Sequence, residues 1–250
     1  MSIDADEAVT ASVRELACGF VICAERDVER IGADAFDRGY WESQGARRHT
    51  TTGRSPVLIL ERGDETWVLR HYRRGGAVAR FIDDHYLYTG LQRTRSYQEW
   101  RLLGRMTAWG LPVPAPIAAR VQRQGWIYQA DIITRYLPDT HALSSALRNE
   151  NVSVDAWRRI GGMLRDFHGR GVDHPDLTAH NILMDSQGRV FLVDFDNAVL
   201  RPPGSWTRRG IARFERSLRK VALETGTEFD ASGWQALLES YARPADAAQA

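Results

Sequence analysis

Apolar and polar positions along this chain organise clearly only after residue 55. PVLILE (56–61), the turn RGDE (62–65) and TWVLRHY (66–72) predict a hairpin of two short strands. The basic turn RRGG (73–76) comes next. From Ser96 to Trp109, the apolar Trp100, Leu103 and Met106 recur at helical spacing, so SYQEWRLLGRMTAW predicts a helix that Gly110 stops. Three alternating prolines in LPVPAPI force an extended connection after it. AARVQ, the turn RQGW and IYQADIITRYL (118–137) then predict a second hairpin. Upstream, residues 1–50 carry no sustained period, apart from a helix or turn expected around DAFDRGYWESQG (34–45).

A lobe boundary is placed at Leu137–Pro138. Beyond it, Ser153 is expected to cap a helix whose Trp157, Ile160, Leu164 and Phe167 form one apolar stripe. NILM and VFLV, joined by the turn DSQG (185–188), predict a small hairpin. TRRGIARFERSLRK (207–220) predicts an amphipathic helix with Arg209, Arg213, Arg216 and Lys220 on one face and Ile211, Phe214, Leu218 and Val221 on the other. The order of elements predicts an α+β fold in two lobes: a small β-rich N-terminal lobe over 1–137 and a mostly helical C-terminal lobe over 138–250.

The candidate chemistry gathers in GVDHPDLTAHNILMDSQGRVFLVDFD (171–196), where Asp176, Asn181 and Asp194 fall on loops flanking that small hairpin. Phosphoryl transfer needs a carboxylate to steer or accept the proton of the attacking hydroxyl. It also needs hard oxygen ligands for Mg²⁺ and fixed cations against the triphosphate. His174-x-Asp176-x-x-x-x-Asn181 has the spacing of a kinase catalytic loop, and Asp194-Phe195 lies eighteen positions after Asp176. Asp176 is therefore the candidate catalytic residue, and Asn181 and Asp194 the candidate Mg²⁺ ligands. His174 reads as a brace for the loop and His180 as a support for Asn181. Asp196 stands where protein kinases carry the glycine of D-F-G, either facing the metal or capping the next turn of the chain.

The N-terminal lobe is expected to supply the ATP clamp. Strand TWVLRHY places Arg70 where kinases usually carry lysine, and Lys220 is the only lysine in the chain. Arginine keeps a permanent charge and can fork two phosphate oxygens, so the role is open to it; an ordinary strand arginine is the alternative. Glu99 is the expected partner of Arg70, although Ser96-x-x-Glu99 is also a capping box, which alone explains a glutamate there. TTGRSP offers Gly53 and Arg54 to a nucleotide loop, with one glycine against three in the usual pattern. ITRYL (133–137) is the expected hinge toward the adenine.

Composition narrows the classes. Net charge is only +1, which argues against a bulk polyanion binder, and the basic residues follow no nucleic-acid reader motif. Cys18 and Cys23 are the only cysteines, and their spacing suits free thiols better than a disulfide scaffold or zinc site. The acidic MSIDADEAVTASVREL lacks the apolar core of a secretory signal, and no run of about eighteen apolar residues predicts a membrane span. A cytosolic chain able to touch a membrane from outside is expected. Trp41, Trp109 and Trp206 are conceivable anchors, with buried core the default for each.

VLRHYRRGG, GLPVPAPIAA, GVDHPDLTAHNIL and VFLVDFDNAVLR together resemble bacterial 3-deoxy-D-manno-octulosonic acid (Kdo) kinases, the lipopolysaccharide kinase branch of the protein-kinase-like fold. The resemblance runs from about Gly53 to Lys220. It implies ATP-dependent transfer to the 4-hydroxyl of Kdo on a lipid A precursor, with Asp176 matching the family's catalytic aspartate and Arg70 its own form of the clamp. It also implies peripheral attachment to the anionic cytoplasmic face of the bacterial inner membrane. The competing readings are a kinase for a heptose or an aminoglycoside-type acceptor, and a pseudokinase that binds without chemistry.

Overall fold

The two predicted hairpins join into one sheet. In the computed structural model, which describes residues 11–45, 47–49, 57–73, 84–149 and 152–244, β4 (Val57–Arg62) and β5 (Glu65–His71) form the first hairpin. β7 (Pro116–Gln124) and β8 (Ile127–Arg135) form the second, and β5 pairs with β8 in antiparallel register, His71 opposite Asp131. β3 (Arg47–His49) extends one edge, while β1 (Ala11–Leu16) and β2 (Gly19–Ala24) extend the other. The sheet order is β1-β2-β7-β8-β5-β4-β3, with β6 (Tyr86–Leu87) also pairing β8. Cys18 and Cys23 are free thiols here, one exposed and one buried.

Each face of this sheet is covered from its own chain. The turns at Glu25–Asp27 and Ala33–Phe36 and the short α1 (Arg38–Ser43) lay Ile31, Phe36 and Trp41 against Leu58, Leu60, Trp67 and Leu69. The helix or turn expected near 34–45 is thus real, and α1 begins where the Asp37 carboxylate accepts from Tyr40 N at 3.0 Å. On the other face, α2 (Arg95–Ala108) packs on β7 and β8 and buries Trp100, Leu103 and Met106, the three residues whose spacing predicts the helix.

The chain divides into two compact units. The first is the part up to Trp109 with Pro114–Tyr136; the second is Gly110–Val113 with the part from Leu137 onward. In the second unit β9 (Thr140–Ala142) leads into α3 (Leu143–Asn149), and then comes α4 (Val154–Gly169). Ser153 caps α4 by accepting from Ala156 N at 3.2 Å, and Trp157, Ile160, Leu164 and Phe167 are all buried. β10 (Val172–Asp173) pairs with β13 (Val199–Leu200), and β12 (Val190–Leu192), β11 (Ile182–Asp185) and β9 form a three-stranded sheet. Two helices close the unit, α5 (Trp206–Thr225) and α6 (Ala231–Ala242).

α4 and α6 pack closely because Gly161 lets them. A Cβ at Gly161 would stand 2.2 Å from Leu237 O, a backbone atom that cannot swing aside. Gly161→Ala is expected to cost about 1–3 kcal/mol, read as a lower urea midpoint at unchanged slope.

His168, near the end of α4, makes this unit acid-sensitive. Burial lowers its pKa to about 4, against a weaker opposing pull from Asp173. Its Nδ1 lies 2.7 Å from the Tyr241 hydroxyl, and Trp206 meets the ring edge-on. Because the folded pKa lies below the unfolded value, the unfolded chain takes up the proton first as pH falls from about 6.5 toward 4. Stability is held above that window and lost within it. Unfolding at pH 7 and pH 5 should differ by about 2 kcal/mol more in the unaltered protein than in His168→Gln.

The cationic face predicted on α5 is present. Arg209, Arg216 and Lys220 are exposed and Arg213 is half-buried, opposite the buried Phe214, Leu218 and Val221. Toward the helix end the cations meet carboxylates one turn away, with Arg219–Glu215 at 2.7 Å and Lys220–Glu224 at 3.7 Å.

Candidate active site

In the first unit, one strand and one helix bring two of the sequence-predicted residues together. Arg70 leaves β5 toward α2, and its Nη2 donates to both oxygens of Glu99 at 2.5 and 2.6 Å. Glu99 is buried, and Tyr72, two residues beyond Arg70 on the same strand face, donates its hydroxyl to Glu99 Oε2 at 2.5 Å. The Arg70 guanidinium also lies over the Tyr72 ring at 4.6 Å. Cation and phenol together hold the carboxylate in one orientation.

The capping-box reading of Glu99 fails. α2 starts one residue earlier, with Thr94 at its N-cap, and the buried Ser96 hydroxyl donates to Arg120 O at 3.2 Å. Glu99 therefore sits beyond the box position, and its carboxylate serves Arg70 and Tyr72. Tyr72 was not singled out by sequence reasoning, although the two-residue period of a strand places it beside Arg70. Gly53 and Arg54 lie outside the described residues, so the nucleotide-loop assignment stands on sequence alone.

In the second unit, the H-x-D-x-x-x-x-N loop and the D-F-D segment are laced together by Val193. Its N–H donates to Asn181 O at 3.0 Å, and its carbonyl lies 3.1 Å from His174 Nε2. A carbonyl only accepts, so the imidazole carries its proton on Nε2. Burial lowers the His174 pKa, which keeps the ring neutral, and its Nδ1 has no hydrogen-bond partner among the described residues. Phe195 packs edge-on to His174 at 5.0 Å and stacks on Phe167 at 5.9 Å. His174 acts as the brace its position suggests. One contact of His180 goes elsewhere than Asn181: its Nδ1 meets Ser144 Oγ at 2.8 Å, tying the loop to the start of α3.

Asp176 is exposed at the loop tip, and Asn181 is fully buried beneath it. Asn181 Nδ2 donates to Asp176 O at 2.7 Å and reaches Asp176 Oδ2 at 3.3 Å. That fixes the amide and leaves Asn181 Oδ1 buried with no hydrogen-bond partner among the described residues. An unmet buried acceptor costs about 1–3 kcal/mol. A hard cation would satisfy it, and Mg²⁺ characteristically takes one or two protein oxygens and completes its shell with water and phosphate. Among the described residues no three His, Cys, Asp or Glu side chains form a metal-binding group. Asp194 directly follows Val193, whose N–H donates to Asn181 O, and it holds the left-handed conformation at φ 70°. Such a backbone state is sparsely populated by non-glycine residues and concentrates at functional positions.

A sheet-rich unit with an Arg–Glu pair whose glutamate is buried, and a second unit in which H-x-D-x-x-x-x-N and D-F-D flank a β-hairpin, define a protein-kinase-like phosphotransferase. Within that class the chain belongs to the lipopolysaccharide kinase (Kdo/WaaP) family, which it matches over residues 38–241. It is similar to the 3-deoxy-D-manno-octulosonic acid kinase of Vibrio cholerae, at 36% identity over 81% of this chain and 86% of the relative. The enzymes of the same name from Actinobacillus succinogenes, 38% identical over 82% and 89%, and Xylella fastidiosa, 35% identical over 96% and 96%, are also similar.

Proposed function

We propose that this protein transfers the γ-phosphoryl group of ATP to a hydroxyl of Kdo, the 4-hydroxyl that the resemblance implies, on a Kdo-bearing lipid A precursor. The observation that supports the chemistry best is Asn181 Oδ1, buried and unmet directly beneath Asp176. The sugar rests on the likeness to the three kinases named above.

Asp176 orients the acceptor hydroxyl and takes its proton as the oxygen attacks the γ-phosphorus; the bond to the bridging oxygen breaks and ADP leaves. Asn181 and Asp194 hold Mg²⁺, which neutralises charge on the phosphate oxygens when bound. Arg70, steered by Glu99 and Tyr72, supplies a second fixed positive charge, and Gly53 and Arg54 belong to the loop over the phosphates. His174 and the Val193 peptide keep Asp176 and Asp194 in register.

The acceptor is lipid-anchored, so the protein works as a peripheral guest at the cytoplasmic face of the inner membrane. No helix among the described residues is long and apolar enough to cross a membrane. Transfer of label from [γ-³²P]ATP to Kdo-lipid A precursor, with the site located by mass spectrometry, tests the reading. Label on Kdo is the expected result. Label only on a heptose-bearing core acceptor would move the reading to the other sugar, and nucleotide binding without transfer to either would make this a pseudokinase.

A further inference from the structure

Several exposed apolar side chains gather at one end of the eight-stranded sheet. Trp126 is 80% exposed, Leu87 65%, Leu16 39% and Ile127 38%. Leu87 stands directly opposite Ile127 between β6 and β8. Tyr88 N donates to Trp126 O at 2.8 Å, and Arg123 N donates to Cys18 O at 2.9 Å, which sets the β1–β2 turn alongside. Gln124 pairs with Ile127, so Gly125 and Trp126 form a two-residue turn, and Gly125 takes the positive φ of 60° that its first position demands. The turn carries the indole to the tip of the hairpin. Exposing the largest side chain at a turn, where glycine, asparagine or serine is usual, needs a reason.

Strand register fixes which end this is. His49 pairs with Val57, Leu58 with Leu69, and His71 with Asp131. The strands flanking residues 50–56, the candidate nucleotide loop, therefore end at the same edge of the sheet that carries Trp126. Charge points the same way. Residues 16–19, 86–93 and 122–127 contain Arg93 and Arg123 and no carboxylate. Arg123 lies over the Tyr88 ring at 4.6 Å and donates to Gly125 O at 2.9 Å.

We propose that this tip is the membrane-docking surface, with Trp126, Leu87 and Ile127 entering the interfacial zone of an anionic bilayer while Arg93 and Arg123 meet its phosphates. The inference rests on the reading that the acceptor is lipid-anchored. Tryptophan favours the headgroup level, and each arginine near an anionic surface adds attraction. The α5 face is the weaker rival, because its Lys220 already pairs with Glu224 and Leu223 is its lone strongly exposed large apolar residue.

The test is co-sedimentation with vesicles of phosphatidylethanolamine and phosphatidylglycerol, beside transfer assays on vesicle-borne Kdo-lipid and on its deacylated, water-soluble headgroup. Trp126→Ser should weaken vesicle binding by roughly tenfold and raise KM for the vesicle-borne acceptor in step, with the soluble acceptor turned over as before. Leu87→Ser should act in the same direction. Vesicle binding untouched by both substitutions, or lost only in Arg209→Glu with Arg216→Glu, would overturn the proposal; so would failure of the unaltered chain to bind vesicles. If the soluble Kdo headgroup is not phosphorylated at all, the acceptor assignment fails, and the sedimentation result still decides the docking surface.

Discussion

Asp176→Asn should reduce phosphoryl transfer by about 10²–10⁴-fold while nucleotide affinity and thermal stability hold. The substitution keeps the shape of the side chain and removes its capacity to take a proton. Asp176 is exposed, and Asn181 is held chiefly through the Asp176 backbone carbonyl at 2.7 Å, which the substitution leaves in place. Single-turnover rates isolate the chemical step, and nucleotide titration by calorimetry separates it from binding. A rate within tenfold of the unaltered protein would remove Asp176 from the proton path.

Asp194→Asn should cost more still in metal dependence. Replacing one of the two protein oxygens proposed to hold Mg²⁺ by a neutral amide is expected to lower transfer by about 10³-fold at fixed metal, with partial recovery at high Mg²⁺. The fold should tolerate it. Position 194 demands φ near 70°, and asparagine enters the left-handed region as readily as aspartate. Asp194→Val would confuse the experiment, because a β-branched residue adds backbone strain to the lost ligand. A Mg²⁺ titration of rate in the Asn variant is the measurement; an unchanged midpoint would place the metal elsewhere.

The elements that show a clean period were legible: both central hairpins formed, α2 and α4 bury the residues whose spacing predicts them, and α5 buries Phe214, Leu218 and Val221 with Ile211 half-buried. The β1–β2 hairpin was not. FVICA is a short apolar run with no alternation, and ASVREL is a polar edge strand, so neither carries a period that separates it from a loop. At the site, the loop spacing singles out Asp176, Asn181 and Asp194 as candidates, but the lacing through Val193 is made by backbone atoms and leaves no residue signature. Contacts far apart in sequence were equally silent. His71 meets Asp131 at 2.8 Å and Asp84 at 3.2 Å, and Arg120 completes the group through Asp131, on the sheet face away from Arg70. Exposure was the hardest to read. Trp41 and Trp206 are buried and Trp109 half-buried, whereas Trp126 stands out from a turn that was itself expected.

Arg70 has a practical corollary for chemical proteomics. Reagents that find kinases by acylating an amine beside the bound nucleotide depend on a lysine in the clamp. Here that position is a guanidinium held against a buried glutamate, and the one lysine side chain, Lys220, is exposed on α5. A cell-wide survey built on such reagents would pass this enzyme over even when it is abundant and active, so its occupancy by nucleotide or inhibitor has to be followed by ligand-induced thermal shift instead.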